Sequence, residues 1–203
     1  MGLAETQRLL AHLYTDPRVR EQFFTHPATV AAEFSLPPAD LHVLRHLPRA
    51  EINRFARSLQ NKRLGDTAKL LPLTRRALGR HFAPRFLAWA ESTAPATSHH
   101  HTDDARHFAA HLLSENKKTA APAKALAPWI TNLLRYETAA LTAATPGRHC
   151  IFLPLRFTPA DLQKCARSSR HRSRLRPRPS LAVWFRLTPH GRLRHLHLSL
   201  PFF

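Results

Sequence analysis

Over the first 145 residues the apolar positions recur at three- and four-residue intervals, the period of helices that bury one face. Helix punctuation is dense there. Thr15-Asp16-Pro17 places a cap before a proline in the first turn, with Val19, Phe23 and Phe24 following on one face. His26-Pro27 closes that element and opens the next. Leu36-Pro37-Pro38-Ala39-Asp40 repeats the signal ahead of a stripe of Leu41, Val43, Leu44 and Leu47. Pro48 opens a longer helix to about Lys62, in which Ile52, Phe55, Ala56 and Leu59 form the core-facing stripe. After a short break Leu70, Leu71, Leu73, Ala77 and Leu78 continue the core, Gly79 fits a C-cap, and Phe82, Phe86, Leu87 and Trp89 make another helix. Two more follow, at about 103–115 with Phe108, Leu112 and Leu113 buried, and at about 123–143 around Trp129, Leu133 and Leu134. Thr145-Pro146-Gly147 ends the second.

Beyond that break the period changes to two. Ile151, Leu153, Leu155 and Phe157 share one parity, as do Leu181, Val183, Phe185 and Leu187, and as do Leu196, Leu198 and Leu200. Such alternation predicts three half-buried strands. Thr158-Pro159-Ala160-Asp161 predicts a short helix after the first, and Thr188-Pro189-His190-Gly191 is a turn that makes the other two a hairpin. The expected fold class is α+β, a mainly helical N-terminal bundle followed by a small C-terminal mixed or antiparallel sheet with one short helix. The expected division is a bundle over 1–91, a linker with additional helices over 92–147, and a sheet domain over 148–203.

A small appended sheet has free edges, and an edge can accept a strand from another chain. Pro154 argues that the first strand lies at an edge. With the first and second strands parallel and the third between them, the crossover rule is met and Ser180 to Leu187 becomes the open edge. An extended peptide would then pair along Leu181, Ala182, Val183, Trp184, Phe185, Arg186 and Leu187. Arg174, Arg176, Arg178 and Arg194 would attract its acidic groups.

Charge changes this picture more than overall composition does. The chain has 31 Lys and Arg against 13 Asp and Glu, a formal net of +18. From residue 146 onward there are twelve Lys and Arg against one acid, Asp161. Arg167, Arg170, Arg172, Arg174, Arg176 and Arg178 crowd a Ser- and Pro-containing stretch that reads as an exposed loop. Guanidinium forks fit phosphate and carboxylate, so a basic nucleic-acid-binding or regulatory module is the alternative reading. Its weakness is that the aromatics follow core spacing.

Catalytic signatures are absent: the chain contains no GxSxG, P-loop, GxGxxG or HExxH, and only five glycines. His99-His100-His101 sits on a linker that fixes no ligand geometry, and His107 and His111 share a helix face without a third ligand. No metal or cofactor is expected in this chain. Cys150 and Cys165 have no zinc or redox spacing and are expected buried or half-buried. The start Met1-Gly2-Leu3-Ala4-Glu5 lacks a secretory h-region, and no apolar run spans a bilayer, so a cytoplasmic protein without membrane contact is expected.

Phe55-Ala56-Arg57-Ser58-Leu59, Lys62-Arg63, Leu70-Leu71-Pro72-Leu73-Thr74, Leu78-Gly79 and Phe82, with Leu13-Tyr14-Thr15-Asp16 and Phe23-Phe24, resemble the small partner subunits of multinuclear non-haem iron oxidases that modify ribosomally made peptides. The layout, helices followed by a terminal sheet, is similar to the partner protein of the methanobactin-type maturation complex, which belongs to biosynthesis of a copper chelator. The resemblance implies a non-catalytic accessory subunit that forms a heterodimer with the oxidase and captures the leader of a precursor peptide by strand addition. Iron would reside in the partner enzyme, which converts peptide cysteines with dioxygen. The Arg-rich loop matches no part of that pattern.

Overall fold

The computed structural model describes residues 2–93, 101–118, 125–145, 150–188 and 191–199. His99 and His100, the Pro146-Gly147 break, Pro189 and His190 of the turn, and Leu200 lie outside the described residues. The fold is α+β, a succession of helices followed by a three-stranded antiparallel sheet. The chain divides into two compact units, one comprising Met1–Gly65 and Arg85–His99, the other Asp66–Pro84 and His100–Phe203. Both are discontinuous in sequence, whereas composition suggested boundaries at 91 and 147.

In the first unit, α1 (Leu3–Thr15), α2 (Pro17–Thr25), α3 (Pro27–Glu33) and α4 (Pro38–Leu44) lead into α5 (Arg49–Leu70). The helices α2, α3 and α4 each begin where the sequence places a proline in the first turn. Asp16 caps α2, its carboxylate accepting from the Arg18 and Val19 amides at 2.8 and 3.3 Å. The core gathers Leu9, Leu13, Phe23, Val30, Leu44 and Ile52. Two expected core residues face solvent instead. Val43 is exposed, and Phe55 lays its ring against Tyr14 at 4.4 Å while half of it stays in water. The α5 helix also runs past the expected end at Lys62, because Gly65 costs only about 1 kcal/mol in a helix interior. It stops at Leu70 because Pro72 drives Leu71 out of the helical region, to φ −119° and ψ 55°.

In the second unit, α6 (Pro72–Leu78) ends at Gly79 with φ +54°, the expected glycine cap. Also here are α8 (His101–Lys118), α9 (Pro128–Ala144), β1 (Cys150–Leu155), α10 (Pro159–Arg167), α11 (Ser169–Arg172), β2 (Ser180–Phe185) and β3 (Arg194–Ser199); α7 (Phe82–Glu91) contributes its first residues. Thr158 caps α10 as predicted, its hydroxyl accepting from the Asp161 amide at 3.1 Å. One face of the sheet packs on α9 and α10. Trp129 and Leu133 of α9 and Leu162 and Cys165 of α10 meet Leu153, Leu155, Ala182 and Trp184.

The strand order corrects the expected one. It is β1-β2-β3, antiparallel throughout, so β2 is central and both β1 and β3 are edges. The reason lies in Leu181-Ala182-Val183-Trp184-Phe185, which is apolar at five consecutive positions. A central strand has cross-strand neighbours on both sides, so Val183, on the face without helices, is shielded between Phe152 and Leu196, and Ala182, Val183 and Trp184 are all buried. Pro154 does lie on an edge strand, as its missing N–H requires.

Glu137, buried on α9, joins that helix to α6. Its carboxylate accepts the Leu73 and Thr74 amides at 2.8 and 2.7 Å, satisfying donors at the α6 N-terminus that helix geometry leaves unpaired. Burial pushes its carboxyl above the usual range, against the pull of those two hydrogen bonds. Replacing Glu137 with Ala is expected to cost about 2 kcal/mol, measured by urea unfolding, since it orphans two buried donors. Because the folded-state pKa is raised, this carboxyl's contribution is complete below the ordinary glutamate value and is lost as pH rises through the elevated one. Glu137→Gln is therefore expected to flatten the fall of stability with rising pH in that window.

Candidate functional site

The alternation of each strand sends its residues to two faces, and register then assembles them. Phe152 pairs with Val183 and Val183 with Leu196; Pro154 pairs with Leu181 and Leu181 with Leu198; Cys150 pairs with Phe185 and Phe185 with Arg194. Cross-strand partners share a face. One face therefore carries Phe152, Leu181, Val183, Phe185, Leu196 and Leu198, and the opposite face packs on the helices. Phe152 is 65% exposed, Leu196 48% and Leu198 46%. Cys150 is exposed on the same face, against expectation, while Cys165 is buried.

The polarity of β3 is inverted relative to a strand that uses its apolar side for its own core. Leu196 and Leu198 point to the open face, while His195, His197 and Ser199 share the parity of Trp184 and Ala182. His195 stacks on Trp184 at 4.8 Å and meets the Tyr136 ring at 5.9 Å, so the edge is propped by ring contacts instead of aliphatic packing. His195 is exposed as a residue, but partial desolvation of its ring, reinforced by His197, holds its imidazole below the usual histidine range. Burial also raises the Tyr136 phenol, helped by the neighbouring Glu137.

The strand residues proposed from sequence fall into four groups. Leu181, Val183 and Phe185 reach the open face, but their backbone is paired on both sides and is no free edge. Ala182 and Trp184 are buried in the helix-facing core. Arg186 is occupied within its own chain: Nη1 donates to the Gly191 carbonyl at 3.0 Å and Nη2 to Ala143 and Ala144 at 3.3 and 3.2 Å, capping α9. Leu187 is exposed past the end of β2.

The four arginines do not form one set. Arg174, Arg176 and Arg178 precede Ser180, whereas Arg194 stands across from Phe185 at the other end of the six-residue strand β2, about 17 Å away at the rise of a β-strand. Sequence reading missed Phe152, Leu196 and Leu198 as the exposed side of the site. The signal was present in the His195 and His197 alternation, which leaves β3 no apolar residue for the helices.

Among the described residues no group of three or more His, Cys, Asp and Glu side chains is placed to hold a metal ion. No described helix is long and apolar enough to cross a membrane.

Truncation separates the two faces. Trp184→Ala is expected to cost about 3–5 kcal/mol in urea unfolding, as for a buried aromatic, while Leu196→Ala and Leu198→Ala stay within about 0.5 kcal/mol. In an NMR titration, the His195 ring is expected to change state below the ordinary histidine midpoint.

Residues 47–114, about one third of the chain, match the family described as SCO6045-like, C-terminal domain. The match covers α5, α6 and α7 and most of α8, and stops before the sheet. No curated protein matches the chain.

Proposed function

We propose that this chain is a recognition subunit that takes an extended peptide onto the β3 edge of its sheet and presents it to an iron-dependent oxidase. The single observation that carries this reading is β3 itself: an edge strand with its outer backbone unpaired by the sheet and its apolar side turned to solvent. Strand addition would supply main-chain hydrogen bonds along Arg194–Ser199, and alternate peptide side chains would reach the Leu196-Leu198 side. β1 is the poorer edge, because Pro154 offers no amide to a new strand. Arg194, on β3, is placed to meet an acidic group of the peptide.

The partner assignment rests on the resemblance over residues 3–90 to subunits of peptide-modifying iron oxidases. In that reading the chemistry, conversion of peptide cysteines as in methanobactin-type maturation, belongs to the oxidase, and this chain acts in the cytoplasm as its heterodimeric partner without a metal of its own. Leu3, Val43 and Phe55, all exposed on the helical unit, give an oxidase apolar contacts to cover.

Co-expression with a candidate iron oxidase and its cysteine-containing precursor peptide tests the reading. A ternary complex on size exclusion, with an oxygen-dependent mass change on the peptide cysteines, is the expected result. Leu196→Lys combined with Leu198→Lys is expected to weaken precursor binding at least about tenfold, by fluorescence anisotropy, and to leave the oxidase complex intact. A folded double variant with unchanged peptide affinity would remove β3 as the site.

A further inference from the structure

The Arg-rich segment, read from sequence as a bare exposed loop, is built into the second unit. Residues 169–172 form the helical turn α11, and Arg172 is committed to structure: its Nε donates to the Cys165 carbonyl at 3.0 Å and its guanidinium lies 5.2 Å from the Trp129 ring centre. Leu175 packs against the core around Trp129 and Leu162. The Arg178 amide donates to the Arg156 carbonyl at 2.8 Å, and Pro177 and Pro179 fix φ on either side of it. The segment is held at both ends and stiffened between them.

It borders a half-open cavity of about 310 Å³ lined by the exposed side chains of Lys164 of α10, His171 of α11, and Arg174, Arg176 and Arg178 of the segment, with Asp161 the one acid in the lining. Among the described residues, none of Lys164, Arg174, Arg176 and Arg178 has an ion-pair partner within 4 Å. Four cations from two elements therefore converge on one concavity with a single carboxylate beside them. Cys165 also lines the cavity, and burial pushes its thiol up, so the pocket offers cations and no thiolate.

We infer that this cavity binds a small multiply charged phosphate group of the diphosphate class. Guanidinium forks grip phosphate oxygens two at a time, and adjacent negative charges are what four unpaired cations require. A cavity of this volume is at the small end of ligand pockets, which run from roughly 300 to 1,000 Å³, and suits a diphosphate better than a polymer. A leader carboxylate brings one charge at a time, Arg194 stands at the far end of β2, and the cavity takes no lining residue from β3. The site is thus separate from the proposed peptide edge and does not depend on it.

Isothermal titration calorimetry of the full chain with inorganic pyrophosphate tests the assignment, with circular dichroism melts confirming that each variant is folded. Saturable one-to-one binding is expected. Arg176→Ala should weaken it at least about tenfold, the loss of a charge-assisted contact, while Arg170→Ala, outside the lining, changes it less than about twofold. Asp161→Asn should tighten binding about threefold, which a merely structural role for Asp161 would not produce. Tighter binding of ADP than of pyrophosphate would identify a nucleotide as the source of the group, and equal or weaker binding would identify free diphosphate. The inference is overturned if pyrophosphate fails to saturate, or if Arg170→Ala loses as much as Arg176→Ala. It is also overturned if a single-stranded oligonucleotide binds more tightly than either ligand and depends equally on Arg167, Arg170 and Arg176.

Discussion

Everything proposed for the sheet depends on the way α9 holds it. Asn132, buried on that helix, accepts the Arg156 amide at 2.8 Å just after β1 and donates to the Pro128 carbonyl at 3.0 Å, so one side chain ties the strand end to the helix. Glu137, on the same helix, satisfies two amides of α6, and Arg186 caps the α9 C-terminus from just beyond β2. Buried polar contacts of this kind have one satisfied arrangement and are costly to break, so they specify orientation where apolar packing alone would tolerate sliding. With the helix-facing side of the sheet fixed, the period-two alternation leaves no choice about which residues face away.

The consequence is an open face whose composition does not suit water. A three-stranded sheet with one side packed ordinarily turns polar residues outward. Here Phe152, Leu196 and Leu198 are outward, and on β3 the histidines take the inward side. Ring stacking of His195 on Trp184 supports the edge at a geometry aliphatic residues would not need. An edge strand with solvent-facing leucines is an aggregation hazard unless something covers it. A bound peptide strand would complete both its backbone pairing and its apolar side.

The helices were largely legible because their signals are local. A proline and a capping side chain decide a helix start within four residues, and Asp16 and Thr158 cap as their spacing predicts. The hairpin of β2 and β3 was legible for the same reason. Strand order was not local. Twenty-odd residues link β1 to β2, enough to deliver the second strand to either side, and the alternation of Leu181, Val183 and Phe185 matches an edge strand as well as a central one. Ala182 and Trp184 carried the missing information, because apolar residues of both parities mark a strand with neighbours on both sides. The extension of α5 through Gly65 and the exposure of Phe55 and Val43 escaped for another reason: periodicity identifies a stripe and says nothing of how wide a face the neighbouring helices cover. The arginines were legible as a charge excess but not as a cavity, which needs the tertiary seating of Leu175 and Arg172.

A peptide strand added to β3 would shield the outer amides of that strand from water. Amide hydrogen exchange of this chain, followed by mass spectrometry with and without the precursor peptide, reads that directly. Slowed exchange across Arg194–Ser199 on peptide binding, with Cys150–Leu155 unchanged, is the expected result. Protection of Cys150–Leu155 with Arg194–Ser199 unchanged, or protection confined to the helical unit, would contradict it.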